Sequence, residues 1–117
     1  MDDLQRARRF FDEHNNFILT THEWADADGI GAEVVLATTL KTIGKRVRVV
    51  NATETSARFA FIDPEHILEP YEVKRHSSLI KKAVVVVLDS AERNNLGIVS
   101  DDLIPKAEEL FAIDHHE

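Results

Sequence analysis

Apolar positions along the chain switch between two periods, and each switch marks an element. Leu4, Ala7, Phe10 and Phe11 recur at helical spacing with Arg6, Arg9 and Glu13 on the other side. A helix is therefore expected from a cap at Asp2 or Asp3 to about His14, where Asn15-Asn16 stops it. Phe17 to Thr21 is a short apolar run that predicts a strand ending at His22. After a polar turn, helical spacing resumes from about Ile30 to Ile43, with Gly44 as C-terminal cap. Val47, Val49 and Val50 mark a second strand, and a mixed stretch with Phe59, Phe61 and Ile62 stops at Pro64. Glu69 to Lys82 is expected as a helix. Ala83 to Leu88 is apolar without alternation, the pattern of a central parallel strand covered on both faces. Asn94 to Ser100 reads as loop, Pro105 to Leu110 as a short helix, and Leu110 to Ile113 as a fourth strand. Strands alternating with helices predict an α/β fold, a three-layer parallel sheet with helices on both faces and right-handed crossovers. No repeat, low-complexity segment or linker divides it.

Composition narrows the function classes. With 117 residues, 44% of them hydrophobic, the chain can bury one core but not two full domains. No apolar run approaches the roughly 20 residues that span a bilayer, and Met1-Asp2-Asp3 is not a basic leader, so a cytoplasmic protein with no membrane partner is expected. There is no cysteine, which leaves His and carboxylate oxygen to hold any metal. A formal charge of -7 repels phosphate backbones and argues against long nucleic acid. Small anionic substrates remain open if metal ions or local cations reverse the field.

Potential ligands follow three of the four expected strands. The first runs into His22-Glu23-Trp24-Ala25-Asp26-Ala27-Asp28-Gly29-Ile30-Gly31, the third into Asp89-Ser90-Ala91-Glu92, the fourth into Asp114-His115-His116. A parallel sheet sets its carboxyl ends on one edge, where function gathers, so these clusters would converge. Several carboxylates in one crevice require compensating positive charge. Mixed His and carboxylate donors suit Mn, Fe, Co or Zn, and a shared aspartate can bridge two such ions. Singly, each piece has a plainer reading: Asp-Ala-Asp-Gly as a helix cap, Asp89 as a turn residue, the two histidines as exposed polar groups. Caps alone give no reason for His and Asp to recur at successive strand ends. An EF-hand starting at Asp26 fails at Ile30 and Ala37, Gly29-x-Gly31 lacks the third glycine of a dinucleotide fingerprint, and no Walker A sequence is present.

Taken in order, His22-x-x-x-Asp26-x-Asp28 followed by glycine, Asp89 closing an apolar strand, and Asp114-His115-His116 resemble the signatures of the DHH phosphoesterase superfamily. The resemblance runs from about Phe17 to Glu117 and looks most similar to the nanoRNase and pAp-phosphatase branch. It implies a Rossmann-like N-terminal domain, 1-117, of a phosphoesterase whose second domain is absent from the sequence. It also implies two divalent ions, typically manganese: His22 and Asp26 on one, Asp28 and His115 on the other, and Asp89 bridging. His116 would face the scissile phosphate and Asp114 would orient the histidines. The implied substrates are short oligoribonucleotides or 3'-phosphoadenosine 5'-phosphate, attacked by a metal-activated water; a homodimer is one assembly open to this chain. Ala32 stands where the family often has serine and Glu92 where aspartate is common. The family's further metal-binding aspartate follows its Asp-His-His motif, so an incomplete second metal site is expected in this chain.

Other substrates within the class are inorganic pyrophosphate, polyphosphate and the ends of nucleic acid cut by RecJ-like exonucleases. Outside it, a non-catalytic regulatory domain binding metal or nucleotide is the alternative. A receiver-like domain would use clustered acids but has no use for His22 and His115. Arg58, following the second strand, is the candidate for a substrate phosphate. Arg46, Arg48, Lys81 and Lys82 flank the amino ends of strands and read as solvated charges, while Trp24 reads as a lid over the core.

Overall fold

The computed structural model describes residues 2–21, 27–80, 83–88 and 110–113. In chain order these form α1 (Asp3–Glu13), β1 (Asn16–Thr20), α2 (Ala27–Thr42), β2 (Arg46–Asn51), a 3-10 helix (Ala57–Ile62), β3 (Leu68–Pro70), α3 (Val73–Ile80), β4 (Val84–Leu88) and β5 (Leu110–Ile113). None of the helices described is long and apolar enough to cross a membrane.

Local chemistry sets the helix ends. Asp2 and Gln5 form a reciprocal capping box: Asp2 Oδ1 accepts from the Gln5 amide at 2.8 Å and Gln5 Oε1 from the Asp2 amide at 3.1 Å. α2 ends at a Gly44 with φ of +89°. There the Lys45 amide donates to Leu40 O and the Gly44 amide to Lys41 O, a Schellman closure that needs the left-handed residue. At its other end α2 departs from expectation, starting at Ala27 rather than Ile30. The polar Asp28-Gly29 pair, which reads as a turn by composition, is its first turn, where an acidic side chain opposes the positive helix end.

All five strands are parallel, in the order β3-β2-β1-β4-β5. The fold is therefore the expected α/β type with an all-parallel, Rossmann-like sheet. β3 was not expected: Leu68–Pro70 pairs with Val49–Asn51, and the helix anticipated from Glu69 begins only at Val73. Three residues carry too little periodicity to read as a strand, and Pro70 is tolerated because β3 lies at a sheet edge. Every residue of β4 is buried, as its unbroken apolar run requires.

Side-chain alternation sorts the core onto two faces. Phe17, Leu19, Val47, Val49, Val84, Val86 and Leu88 pack with Ala37 and Leu40 of α2 and with Phe10 and Phe11 of α1. Phe10 also stacks on Phe111 of β5, ring centroids 4.8 Å apart. On the other face Ile18, Val50, Val85 and Val87 pack with Tyr71, whose ring stacks on His76 of α3. The chain steps from β1 outward to β2 and β3, then returns to place β4 on the opposite side of β1. Right-handed crossovers in opposite directions demand helices on opposite faces, which puts a topological switch point between β1 and β4.

Candidate functional site

The carboxyl ends at that switch point are level. Thr20 pairs with Val87, Val87 with Ala112, and Leu88 with Ile113. One residue further on, the Thr21 hydroxyl donates to the Leu88 carbonyl at 2.7 Å, tying β1 to β4 where their ladder runs out. A second tie comes from β2. The Thr21 amide donates to Asn51 Oδ1 at 3.2 Å, and the Thr20 hydroxyl reaches the same oxygen at 3.5 Å. The main-chain carbonyl of Asn51 is already taken by the Tyr71 amide at 2.7 Å, so its side chain supplies the acceptor that Thr21 needs.

Asn51 is itself held from α2. Its Nδ2 donates to Glu33 Oε1 at 2.8 Å. Glu33 is completely buried, and its other oxygen, Oε2, has no hydrogen-bond partner. Burial pushes the Glu33 carboxyl well above the usual range; the Asn51 hydrogen bond opposes this and the nearby charge of Asp63 adds to it. Asp63 is fixed by the amides of Ile67 and Leu68, at 2.9 and 3.0 Å. Sequence reasoning did not single out Glu33, Asn51 or Thr21. The available signal was Glu33 itself, which interrupts the buried stripe Ile30, Glu33, Ala37 and Leu40 of α2.

α2 approaches this network through Gly29. A Cβ placed there would lie 2.8 Å from Thr21 Oγ1 and 3.3 Å from its Cγ2. The glycine after Asp28 is thus needed for contact between helix and strand. Gly31, by contrast, faces open space.

Of the expected site residues, two are described. Asp28 is exposed in the first turn of α2, beside the buried Gly29. Arg58 is exposed on the 3-10 helix, its guanidinium 4.6 Å over the Phe59 ring, and lines a cleft of about 180 Å³ with Asn51, Thr53, Thr55 and Ser56 at the carboxyl end of β2. His22, Asp26, Asp89, Asp114, His115 and His116 lie outside the described residues, as do Trp24, Lys81, Lys82, the loop expected over Asn94 to Ser100 and, up to Glu109, the short helix expected from Pro105. Among the described residues no three His, Asp or Glu side chains gather as metal ligands.

A larger cavity, about 430 Å³, sits at the amino edge near Lys41, Lys45, Arg46 and Arg48. Its cations are partly spent: Lys45 Nζ donates to His14 O at 2.7 Å, and Arg48 makes two 2.7 Å hydrogen bonds to Glu69. Arg48 is accordingly a paired residue rather than the solvated charge expected from its position. The Arg48 hydrogen bonds lower the Glu69 carboxyl below its usual range, against partial burial, with His76 assisting. His76 Nδ1 accepts from the Glu72 amide at 2.9 Å, which assigns the ring hydrogen to Nε2, 3.3 Å from Glu69 Oε1. Removing the carboxylate in Glu69→Leu leaves that fully buried ring donor unpaired, and is expected to cost about 1–3 kcal/mol in denaturant unfolding. Arg48→Met, whose lost charge is half exposed, should cost less.

No family model matches the chain, and a search of curated proteins finds no match. Among solved structures, it is similar to an exopolyphosphatase-related protein from Bacteroides fragilis, with a TM-score of 0.83 at 20% identity over 97% of this chain. The likeness shows a shared fold. This chain spans 34% of that protein's length.

Proposed function

We propose that this chain belongs to a metal-dependent phosphoesterase of the DHH type, acting on short phosphate-bearing substrates. The observation that carries the reading is the sheet order: β1, β4 and β5 are neighbours with level carboxyl ends, and these are the strands followed in sequence by His22, by Asp89 and by Asp114-His115-His116. Consecutive Cα atoms are about 3.8 Å apart, so side chains one to three residues past these strand ends would have that edge within reach. The contact of Gly29 with Thr21 brings Asp28 to the same edge. The name of the structural neighbour, exopolyphosphatase-related, points to the same broad chemistry.

The donor set suits a pair of divalent ions, manganese above all: nitrogen from His22 and His115, oxygen from Asp26, Asp28 and Asp89, and no thiolate. When bound, the ions would supply a water acidic enough to lose its proton near neutral pH and positive charge for the phosphoryl group under attack. His116 would stand toward the scissile phosphate, Asp114 would orient the histidines, and Arg58, on the cleft wall, would receive a further phosphate or a base-linked oxygen. Within this class, the nanoRNase and pAp-phosphatase branch remains the substrate reading for the full-length protein.

Manganese titration of the full-length protein, with hydrolysis of polyphosphate, 3'-phosphoadenosine 5'-phosphate and a ribodinucleotide followed in parallel, tests this. Asp89→Ala should lower turnover by more than the roughly 10–100-fold that outer-sphere partners cost, because Asp89 would hold both ions in the proposed centre. Unchanged turnover in that variant would sink the bridging role. Manganese binding with no hydrolysis of any of the three would turn the reading to a regulatory domain.

A further inference from the structure

We propose that Asn51 is a positioning residue for the proposed metal-binding edge, locked by the buried Glu33 carboxyl and holding Thr21, the residue before His22, against the ends of β2 and β4. The proposal rests on the metal-centre reading above and adds to it residues that no part of the motif pattern contains.

The geometry supports it in three ways. First, the network joins the end of β1, the end of β2, the end of β4 and the interior of α2 through Thr21, Asn51, Leu88 and Glu33. Thr21 precedes His22 and Leu88 precedes Asp89, so the two ties fall on the residues that hand the chain to two of the proposed ligands. Second, Thr20, Thr21 and Glu33 are entirely removed from solvent and Asn51 is 4% exposed. Hydrogen bonds in such surroundings hold donors and acceptors in fixed places, because no water competes for them. Third, the arrangement is inefficient as packing. A carboxyl with one oxygen unpaired inside the core opposes folding, and an apolar side chain on the same α2 stripe would bury without that cost. Orientation of Asn51 gives the carboxyl a use. With Nδ2 committed to Glu33, the amide cannot flip, and Oδ1 is left facing the Thr21 N–H.

Metal sites depend on such outer partners, whose loss typically weakens metal affinity roughly 10–100-fold. The test uses the full-length protein and manganese alone, with binding followed by the electron paramagnetic resonance of free manganese and hydrogen exchange at the Thr21 amide read by NMR. In Asn51→Leu, similar in size but without either polar group, the manganese Kd should rise about 10–100-fold and the Thr21 amide should lose protection. Glu33→Gln keeps an oxygen for Asn51 Nδ2 and should stay within about threefold of wild type, which a general loss of packing would not predict. Thr21→Val, which removes only the tie to Leu88, should also weaken binding and serves if Asn51→Leu does not fold. Unchanged affinity in Asn51→Leu or in Thr21→Val, or retained Thr21 protection in Asn51→Leu, overturns the positioning role and leaves the metal centre standing. Absence of manganese binding by the wild-type protein overturns the metal centre, and the positioning role with it.

Discussion

Gly29→Ala is expected to destabilise the protein by roughly 1–2 kcal/mol, a fall in melting temperature of about 4–8 °C. Two effects oppose each other. Alanine in place of a helical glycine gains about 0.5–1 kcal/mol of backbone propensity. The new methyl, however, would stand 2.8 Å from Thr21 Oγ1, with Cγ2 and Cβ of the same residue at 3.3 and 3.5 Å. Thr21 cannot turn aside cheaply: it is β-branched, wholly buried, and its hydroxyl is committed to the Leu88 carbonyl at 2.7 Å. Forcing a methyl into such a contact costs about 1–3 kcal/mol, more than the propensity gain. A double-mutant cycle read by thermal or urea unfolding checks the cause. In a Thr21→Ala background the methyl has space, and Gly29→Ala should become neutral or stabilising. An equal cost in both backgrounds would place the clash elsewhere. On the proposed metal centre, to which Asp28 would contribute from the position next to Gly29, the same variant should also weaken manganese binding.

The second large effect is a pH dependence centred on Glu33. Because burial raises its carboxyl well above the usual range, the folded state keeps a proton that the unfolded chain has released once the pH exceeds that range. Wild-type stability therefore falls as pH rises from the ordinary carboxyl range toward the raised folded value, by up to about 1.4 kcal/mol per pH unit, and then levels. Glu33→Gln has no such proton to hold. Its stability relative to wild type should increase from pH 4 to neutral, as measured by urea unfolding across that range. A difference independent of pH would mean that Glu33 titrates normally. Glu69 acts in the opposite sense, because its carboxyl is held low by Arg48: the stability it contributes is complete above the ordinary range and is lost as pH falls through its lowered folded value. That loss occurs in both proteins and cancels in the comparison. It should be absent from Glu69→Leu.

How much was legible in the sequence differs from element to element. α1, β1, β2, β4 and β5 appear close to where hydrophobic period and caps put them, since each carries an apolar run or stripe long enough to declare its period. β3 did not, because three residues ending in proline have no period to show and pair only because β2 offers them an open edge. The start of α2 was read late for a related reason. Asp-Gly is turn-like in isolation, yet here Gly29 is selected by the approach of Thr21, eight residues earlier in the chain.

The chemistry divides in the same way. Which His and Asp residues follow the apolar runs, their order along the chain and the absence of thiolate were readable from composition and spacing, and with them the expectation that a parallel sheet would gather its strand ends. What only the tertiary structure decided was the strand order, which reverses between β1 and β4 and so sets the ends preceding His22 and Asp89 side by side. It also decided the polar network behind them. Glu33, Asn51 and Thr21 are separated by 18 and 30 residues and form no local pattern. They meet because closing a parallel sheet leaves amides at the strand ends without ladder partners, and buried amides must find acceptors wherever the fold can supply them.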